Sequence, residues 1–271
     1  MTDGIGSRTS ASPGGVVASA VRPRVDIVSH LIENRGGLLH VVDPFKIDLD
    51  EAVEKSRAVT VAGMAAILLA STDYTDFDVH MPDYIDAVKA ATSIPTLLHF
   101  PPLPGQGFPW VPAADGIVLP ALLNSDDSYY VWKSLLETFA LRYGPGPCPQ
   151  PLLSAALTFG PDGRSYSRMG TRPVEPDQRS AVEWASISRR FGFDLIYLYS
   201  RHGRVSPLTC RTFRENLSPH QLLFVSGGIR TPEHVDALLD AGTDYVVFAG
   251  ALEQPDWRST LADLCRARSL R

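Results

Sequence analysis

Short apolar runs alternate along the chain with longer stretches whose apolar residues recur every three or four positions. The short runs, bounded by turn formers, read as buried strands, and the longer periodic stretches read as helices. The pattern predicts strands at residues 38–42, within 59–70, and at 95–100, 116–119, 152–157, 194–199, 222–226 and 245–249. It predicts helices over 83–92, 128–143 and 177–191, and a last one from Thr231 to Ala241. Pro82 precedes the first helix; Gly144, Gly192 and Gly242 follow the others, where a left-handed stop residue is expected.

Eight strands of buried type with helices between them imply parallel pairing. Right-handed crossovers then close an α/β (β/α)8 barrel, a TIM barrel; an open doubly wound sheet is the rival. Residues 100–112 hold five prolines and two glycines, so no helix forms there and the barrel is modified after strand three by a proline-rich loop. The chain's 271 residues suit one such domain, assigned here to 23–271, with 1–22 as a flexible tail rich in Gly, Ser, Ala and Thr.

A net charge of -5 argues against a nucleic-acid partner, which calls for a basic stripe. No apolar run approaches the roughly 18 residues of a transmembrane segment. Cys148, Cys210 and Cys265 are odd in number and far apart, which fits neither a disulfide framework nor a zinc site and points to a cytoplasmic protein.

Candidate chemistry gathers at the strand ends. Strand seven runs into Ser226-Gly227-Gly228-Ile229-Arg230, and strand eight into Gly250-Ala251. Barrels of this kind commonly seat phosphate on the loops after strands seven and eight, where glycines let backbone N–H groups approach the anion and a helix N-terminus adds positive potential. The plainer alternative is two tight turns. Asp43-Pro44-Phe45-Lys46 follows strand one: Asp43 suits Mg2+ and Lys46 suits a phosphate, although Asp-Pro is also a turn former. Ser71 and Thr72, after strand two, offer hydroxyls to the same group. An apolar groove is expected from Phe100, Leu122 and Trp132, with Phe108, Trp110 and Tyr129 beside them, unless these aromatics are plain core.

Taken in order, these residues resemble the geranylgeranylglyceryl phosphate synthase family of prenyltransferases. The resemblance rests on His40, Asp43, Pro44 and Lys46; on residues 66–72; on Phe100-Pro101 and the proline-rich loop; on Leu122-Leu123-Asn124-Ser125; on Tyr197-Leu198 and Gly203; and on residues 226–230 with Gly250. It implies a barrel that joins a phosphorylated glycerol to a polyprenyl diphosphate with Mg2+, as a homodimer. By the same resemblance Asp43 and Thr72 hold the metal and Lys46, Ser71 and Thr72 the diphosphate. Tyr197, Ser226, Gly227, Gly228, Gly250 and Ala251 hold the acceptor.

One departure is informative. A family glutamate that accepts hydrogen bonds from glycerol is replaced by Tyr199, followed by Ser200, Arg201 and His202. A carboxylate is lost and cations gained, which suits an acceptor carrying its own carboxylate. The pattern is similar to the divergent branch of moenomycin-type phosphoglycolipid biosynthesis, which implies farnesyl diphosphate as donor and 3-phosphoglycerate as acceptor. Tyr199, Arg201 and His202 then contact the acceptor, with Tyr199, His202 or the diphosphate taking its proton. The alternatives are a solvated loop at 201–202, a glycerol-1-phosphate prenyltransferase, a sugar-phosphate isomerase or aldolase, or a non-catalytic phosphate-binding barrel.

Overall fold

The computed structural model describes residues 26–71, 81–142, 148–160, 167–172, 174, 178–200, 203 and 205–269; the expected tail at 1–22 lies outside them. Eight parallel strands form a closed barrel in sequence order: β1 (Gly37–Val42), β2 (Ala66–Ala70), β3 (Thr96–His99), β4 (Gly116–Leu122), β5 (Gln150–Thr158), β6 (Leu195–Tyr199), β7 (Leu222–Ser226) and β8 (Tyr245–Phe248). The ring closes where β1 pairs with β8, in a register running from Gly37↔Tyr245 to His40↔Phe248.

Side chains alternate across each strand, so two apolar layers form. Leu39, Leu68, Leu97, Leu152, Leu195, Leu222 and Tyr245 fill the barrel interior. Leu38, Ile67, Leu98, Ile196 and Leu223 face outward against the helices. Those helices include α2 (Leu49–Val61), α3 (Met81–Ala90), α4 (Ser134–Arg142, preceded by a π-helical stretch at Tyr129–Lys133) and α5 (Gln178–Arg190). The ring is completed by α6 (Pro207–Asn216), α7 (Pro232–Asp240) and α8 (Trp257–Ser269). Thr231 caps α7 and Ser206 caps α6, each with proline at the first helical turn, where the missing N–H costs nothing.

The sequence pattern did not disclose α1 (Ile27–Glu33), α2, α6 or α8. The first of these plugs the N-terminal mouth. Ile27 and Leu31 are fully buried in the interior layer, the Ile27 N–H donates to Gln150 Oε1 at 2.7 Å, and the Tyr245 hydroxyl donates to the Leu31 carbonyl at 2.7 Å. The apolar run at 59–70 is corrected: Val59–Val61 ends α2, a turn follows, and only Ala66–Ala70 is strand. An apolar run without periodicity does not separate the end of a buried helix from a strand.

Two further features steady the rim. No helix forms between β3 and β4; the proline-rich loop folds back through a Leu103↔Gly107 bridge. Gly107 (φ +67°) lies so close to Thr138 of α4 that a Cβ would crowd its Oγ1, and Thr138 Oγ1 accepts the Phe108 N–H at 2.9 Å. At the opposite end a carboxylate recurs where the sequence pattern disclosed no repeat. Asp115, Asp194 and Asp244, each just before an even-numbered strand, accept the N–H of Thr96, Leu153 and Leu223 at 2.9, 2.8 and 2.7 Å.

Leu31→Ala should open a cavity at the plugged mouth and cost about 2–5 kcal/mol of unfolding free energy, read by urea unfolding; a loss under about 1 kcal/mol would mean the plug adds little. Buried His40 gives a pH signature. Its Nδ1 bonds the Phe248 carbonyl at 3.3 Å, and burial is the main cause holding its pKa down to about 4. The unfolded chain takes up this proton near pH 6.5, whereas the folded chain resists until about pH 4. Stability should therefore fall as pH is lowered through that window, by up to about 3 kcal/mol from this group. His40→Asn should flatten that slope in unfolding measured between pH 7 and 4.5; an unchanged slope contradicts the assignment.

Candidate active site

A cavity of about 360 Å3 opens at the C-terminal ends of the strands. This is the face on which barrels of this kind build active sites, because the βα loops converge there. At one end the β7–α7 turn lines it through Ser226, Gly227 and Gly228. Ser226 Oγ is buried and lacks a hydrogen-bond partner among the described residues; the Tyr197 hydroxyl faces it but outside bonding geometry. Gly227 and Gly228 have φ of +104° and +64°, and a Cβ on Gly227 would overlap the Ser200 carbonyl. Gly250, across the cleft after β8, borders open space. An unpaired hydroxyl, two left-handed glycines and a helix start together form a cradle for an anion. The Arg230 guanidinium stands exposed at its rim.

The other end is built by the β1–α2 turn. Asp43, only 6% exposed, accepts the Phe45 N–H at 3.0 Å. Lys46 Nζ lies 3.6 Å from Asp43 Oδ2 and donates to Glu253 Oε1 at 3.2 Å. Ser71 lines the cavity beside them. Among the described residues no group of three or more Asp, Glu, His or Cys side chains could hold a metal ion. A single buried carboxylate still fits Mg2+, which is commonly held by one or two carboxylates together with substrate phosphates.

Between the two ends the wall is apolar, formed by Pro101, Pro102, Pro120, Leu122, Ala156 and Met169. Met169 is placed there by a strap. The Asn124 amide donates to Thr158 Oγ1 at 2.8 Å, Ser125 Oγ donates to the Met169 carbonyl at 2.6 Å, and the Arg172 N–H donates to the Asn124 carbonyl at 2.7 Å. Asn124 and Ser125 of the Leu-Leu-Asn-Ser motif thus latch the segment after β5 over the cavity. Tyr197 and His99 meet on the floor, with ring centroids 5.0 Å apart. Burial raises the Tyr197 phenol far above its ordinary range and holds the His99 imidazole down at about 4, so both are uncharged near neutrality.

The structure brings Asp43, Lys46, Ser71, Leu122, Tyr197, Tyr199, Ser226, Gly227, Gly228, Gly250 and Ala251 around one cavity. Thr72, Arg201 and His202 lie outside the described residues. Two groove residues are corrected. Phe100 points outward into the layer beneath the helices, because strand alternation turns His99 inward and its neighbour out. Trp132 is 42% exposed on the barrel's exterior, against Phe191 and Phe193. Sequence reasoning missed His99, Met169 and Glu253 as lining; for His99 the signal was its shared parity with Leu97 of the interior layer.

The sequence profile described as the PcrB family matches residues 29–266. The chain belongs to this family. Among this chain's curated relatives, the geranylgeranylglyceryl phosphate synthase of Thermoplasma acidophilum is 30% identical over 229 residues, covering 80% of this chain and 85% of that protein. The synthase of Methanopyrus kandleri is 26% identical, covering 88% and 97%. The solved T. acidophilum synthase, in complex with its substrate sn-glycerol-1-phosphate, superposes with a TM-score of 0.76 at 24% identity, covering 89% and 96%. At that identity the superposition speaks for the fold.

Gly250→Ala separates a ligand role from a folding role. Its backbone is not left-handed and its Cβ would meet open space, so the variant should unfold within about 0.5 kcal/mol of wild type. It should bind inorganic phosphate at least about tenfold more weakly, because the methyl group enters the cradle and a tenfold loss is only about 1.4 kcal/mol. Gly227→Ala should instead lose at least about 2 kcal/mol of stability. Calorimetric titration and urea unfolding read both; unchanged phosphate affinity in Gly250→Ala would remove the cradle from that position.

Proposed function

We propose that this PcrB-family chain transfers a prenyl group from a prenyl diphosphate to a hydroxyl of a phosphorylated three-carbon acceptor. The observation that carries this reading is one cavity with an anion-holding end on either side of an apolar wall and an uncharged floor. The synthase names of the relatives support the reaction class. A wall of proline, leucine and methionine has a use for an isoprenoid and none for a sugar-phosphate isomerase.

In this reading the donor's allylic C–O bond breaks and the diphosphate leaves with the electron pair. Lys46 and the Ser71 hydroxyl stand at that end to stabilise the growing negative charge. The Ser226–Gly228 cradle and Gly250 hold the acceptor's phosphate and aim its hydroxyl across the floor. The apolar wall keeps water from the electron-poor carbon. Mg2+, held by Asp43 together with Thr72 and the diphosphate, would neutralise charge on the leaving group.

The acceptor is 3-phosphoglycerate and the donor farnesyl diphosphate. What supports the acceptor is charge. Tyr199 ends β6 where the resemblance expects a glutamate, and among the described lining residues of the β5, β6 and β7 ends there is no carboxylate, while Arg230 adds a cation. Such a rim tolerates an acceptor carboxylate that a glutamate would repel. Arg201 and His202 belong to the same reading. Glycerol 1-phosphate is the second reading, and the relatives' names favour it, since the T. acidophilum synthase takes it as substrate.

Labelled farnesyl diphosphate offered with equal 3-phosphoglycerate and glycerol 1-phosphate should yield mainly the 3-phosphoglycerate ether. Product from glycerol 1-phosphate alone would overturn the acceptor and keep prenyl transfer; no product from either would overturn both. Tyr199→Glu should reverse the preference, lowering kcat/KM for 3-phosphoglycerate at least about tenfold relative to glycerol 1-phosphate, since a like-charge juxtaposition costs several kcal/mol.

A further inference from the structure

We propose, resting on the prenyl-transfer reading above, that His99 takes the proton of the acceptor hydroxyl as the ether bond forms. The imidazole is set into the cavity floor at the end of β3. β3 pairs with β2, His99 beside Ala70, so the ring sits next to the Ser71 end where the diphosphate is held. Its ring also contacts Tyr197 of β6, on the acceptor's side, at 5.0 Å between centroids. His99 therefore bridges the two ends, at the level where the donor's allylic carbon and the acceptor's hydroxyl must meet.

Among the described residues its nitrogens have no hydrogen-bond partner. No side-chain hydrogen bond from a described residue reaches the ring, and burial is the sole cause acting on its titration. The half-buried imidazole borders the cavity, where a ligand hydroxyl can reach it. The other lining bases are occupied: Asp43 accepts the Phe45 N–H and pairs with Lys46, and Glu253 pairs with Lys46. The Tyr197 phenol, kept protonated by burial, is a donor and not a base.

The step balances without a further reactant. The hydroxyl oxygen gives a lone pair to the allylic carbon as the C–O bond to diphosphate breaks and its electron pair leaves with diphosphate. The proton on the new oxonium passes to the free imidazole nitrogen and from there to diphosphate or water. The imidazole meets the substrates uncharged, with its lone pair available. The arriving diphosphate is an opposite charge that favours the imidazolium once formed.

The test uses His99→Gln and His99→Ala, assayed with labelled farnesyl diphosphate and both acceptors. Wild type should form the ether, and both variants should lose about a hundredfold or more in kcat. Acceptor KM, and donor affinity measured with an unreactive thiodiphosphate, should stay within about threefold, a change of only about 0.7 kcal/mol. Added imidazole should restore part of the turnover of His99→Ala, which a purely structural role would not allow. Full activity in His99→Gln overturns the proposal, as does a parallel loss of donor affinity and kcat without imidazole rescue; in either case prenyl transfer stands. Absence of ether from wild type with every acceptor overturns the prenyl-transfer reading itself.

Discussion

The ladder between β8 and β1 closes the barrel, and the site depends on that closure. It sets Asp43 and Lys46, after the first strand, beside Gly250 and Glu253, after the last, so that Lys46 reaches a carboxylate 207 residues away in sequence. It also sends every strand's C-terminal end to one rim, where residues from all eight strands line a single cavity. The other mouth is free to be filled, and α1 with Ile27 and Leu31 fills it. Mouth and plug divide the work: one end of the barrel is packed for stability, while the other lines a cavity with polar groups.

Polarity is graded across the cavity. Charged and polar groups sit at its two ends, Lys46 with Asp43 and Glu253 at one and the Ser226–Gly228 turn with Arg230 at the other, and the floor between them is neutral although it carries a phenol and an imidazole. A charge on that floor would be poorly solvated and would bind an anion at the wrong place. An uncharged floor with hydrogen-bonding capacity instead suits a hydroxyl. The strap fixed by Asn124 and Ser125 completes the enclosure by placing Met169 on the apolar side.

Much of this was legible in the sequence, for physical reasons. The strands are short apolar runs bounded by breakers, and β7 appears residue for residue at Leu222–Ser226. The glycine pair after it marks the cradle because left-handed backbone there admits little else. The proline-rich stretch forbids a helix, and none forms. What the sequence hid depends on tertiary context. Ile27–Glu33 is a short helix whose apolar face looks like any other, and only the barrel mouth gives it a place. Phe100 and Trp132 looked like groove because they are aromatic, but direction is set by strand parity and helix packing and not by side-chain type. His99 was visible as a strand residue, yet its role needs Tyr197, nearly a hundred positions away, to share the floor.

The central claim is that two anionic groups are held at once, on opposite sides of one cavity. The most direct measurement is a crystal structure grown with both an unreactive farnesyl thiodiphosphate and 3-phosphoglycerate. The account predicts a ternary complex with the thiodiphosphate at Asp43, Lys46 and Ser71, the acceptor phosphate on Ser226, Gly227, Gly228 and Gly250, and the acceptor hydroxyl over His99. Two ligands that displace one another from a single position, or an acceptor phosphate seated away from the β7 and β8 turns, would contradict it.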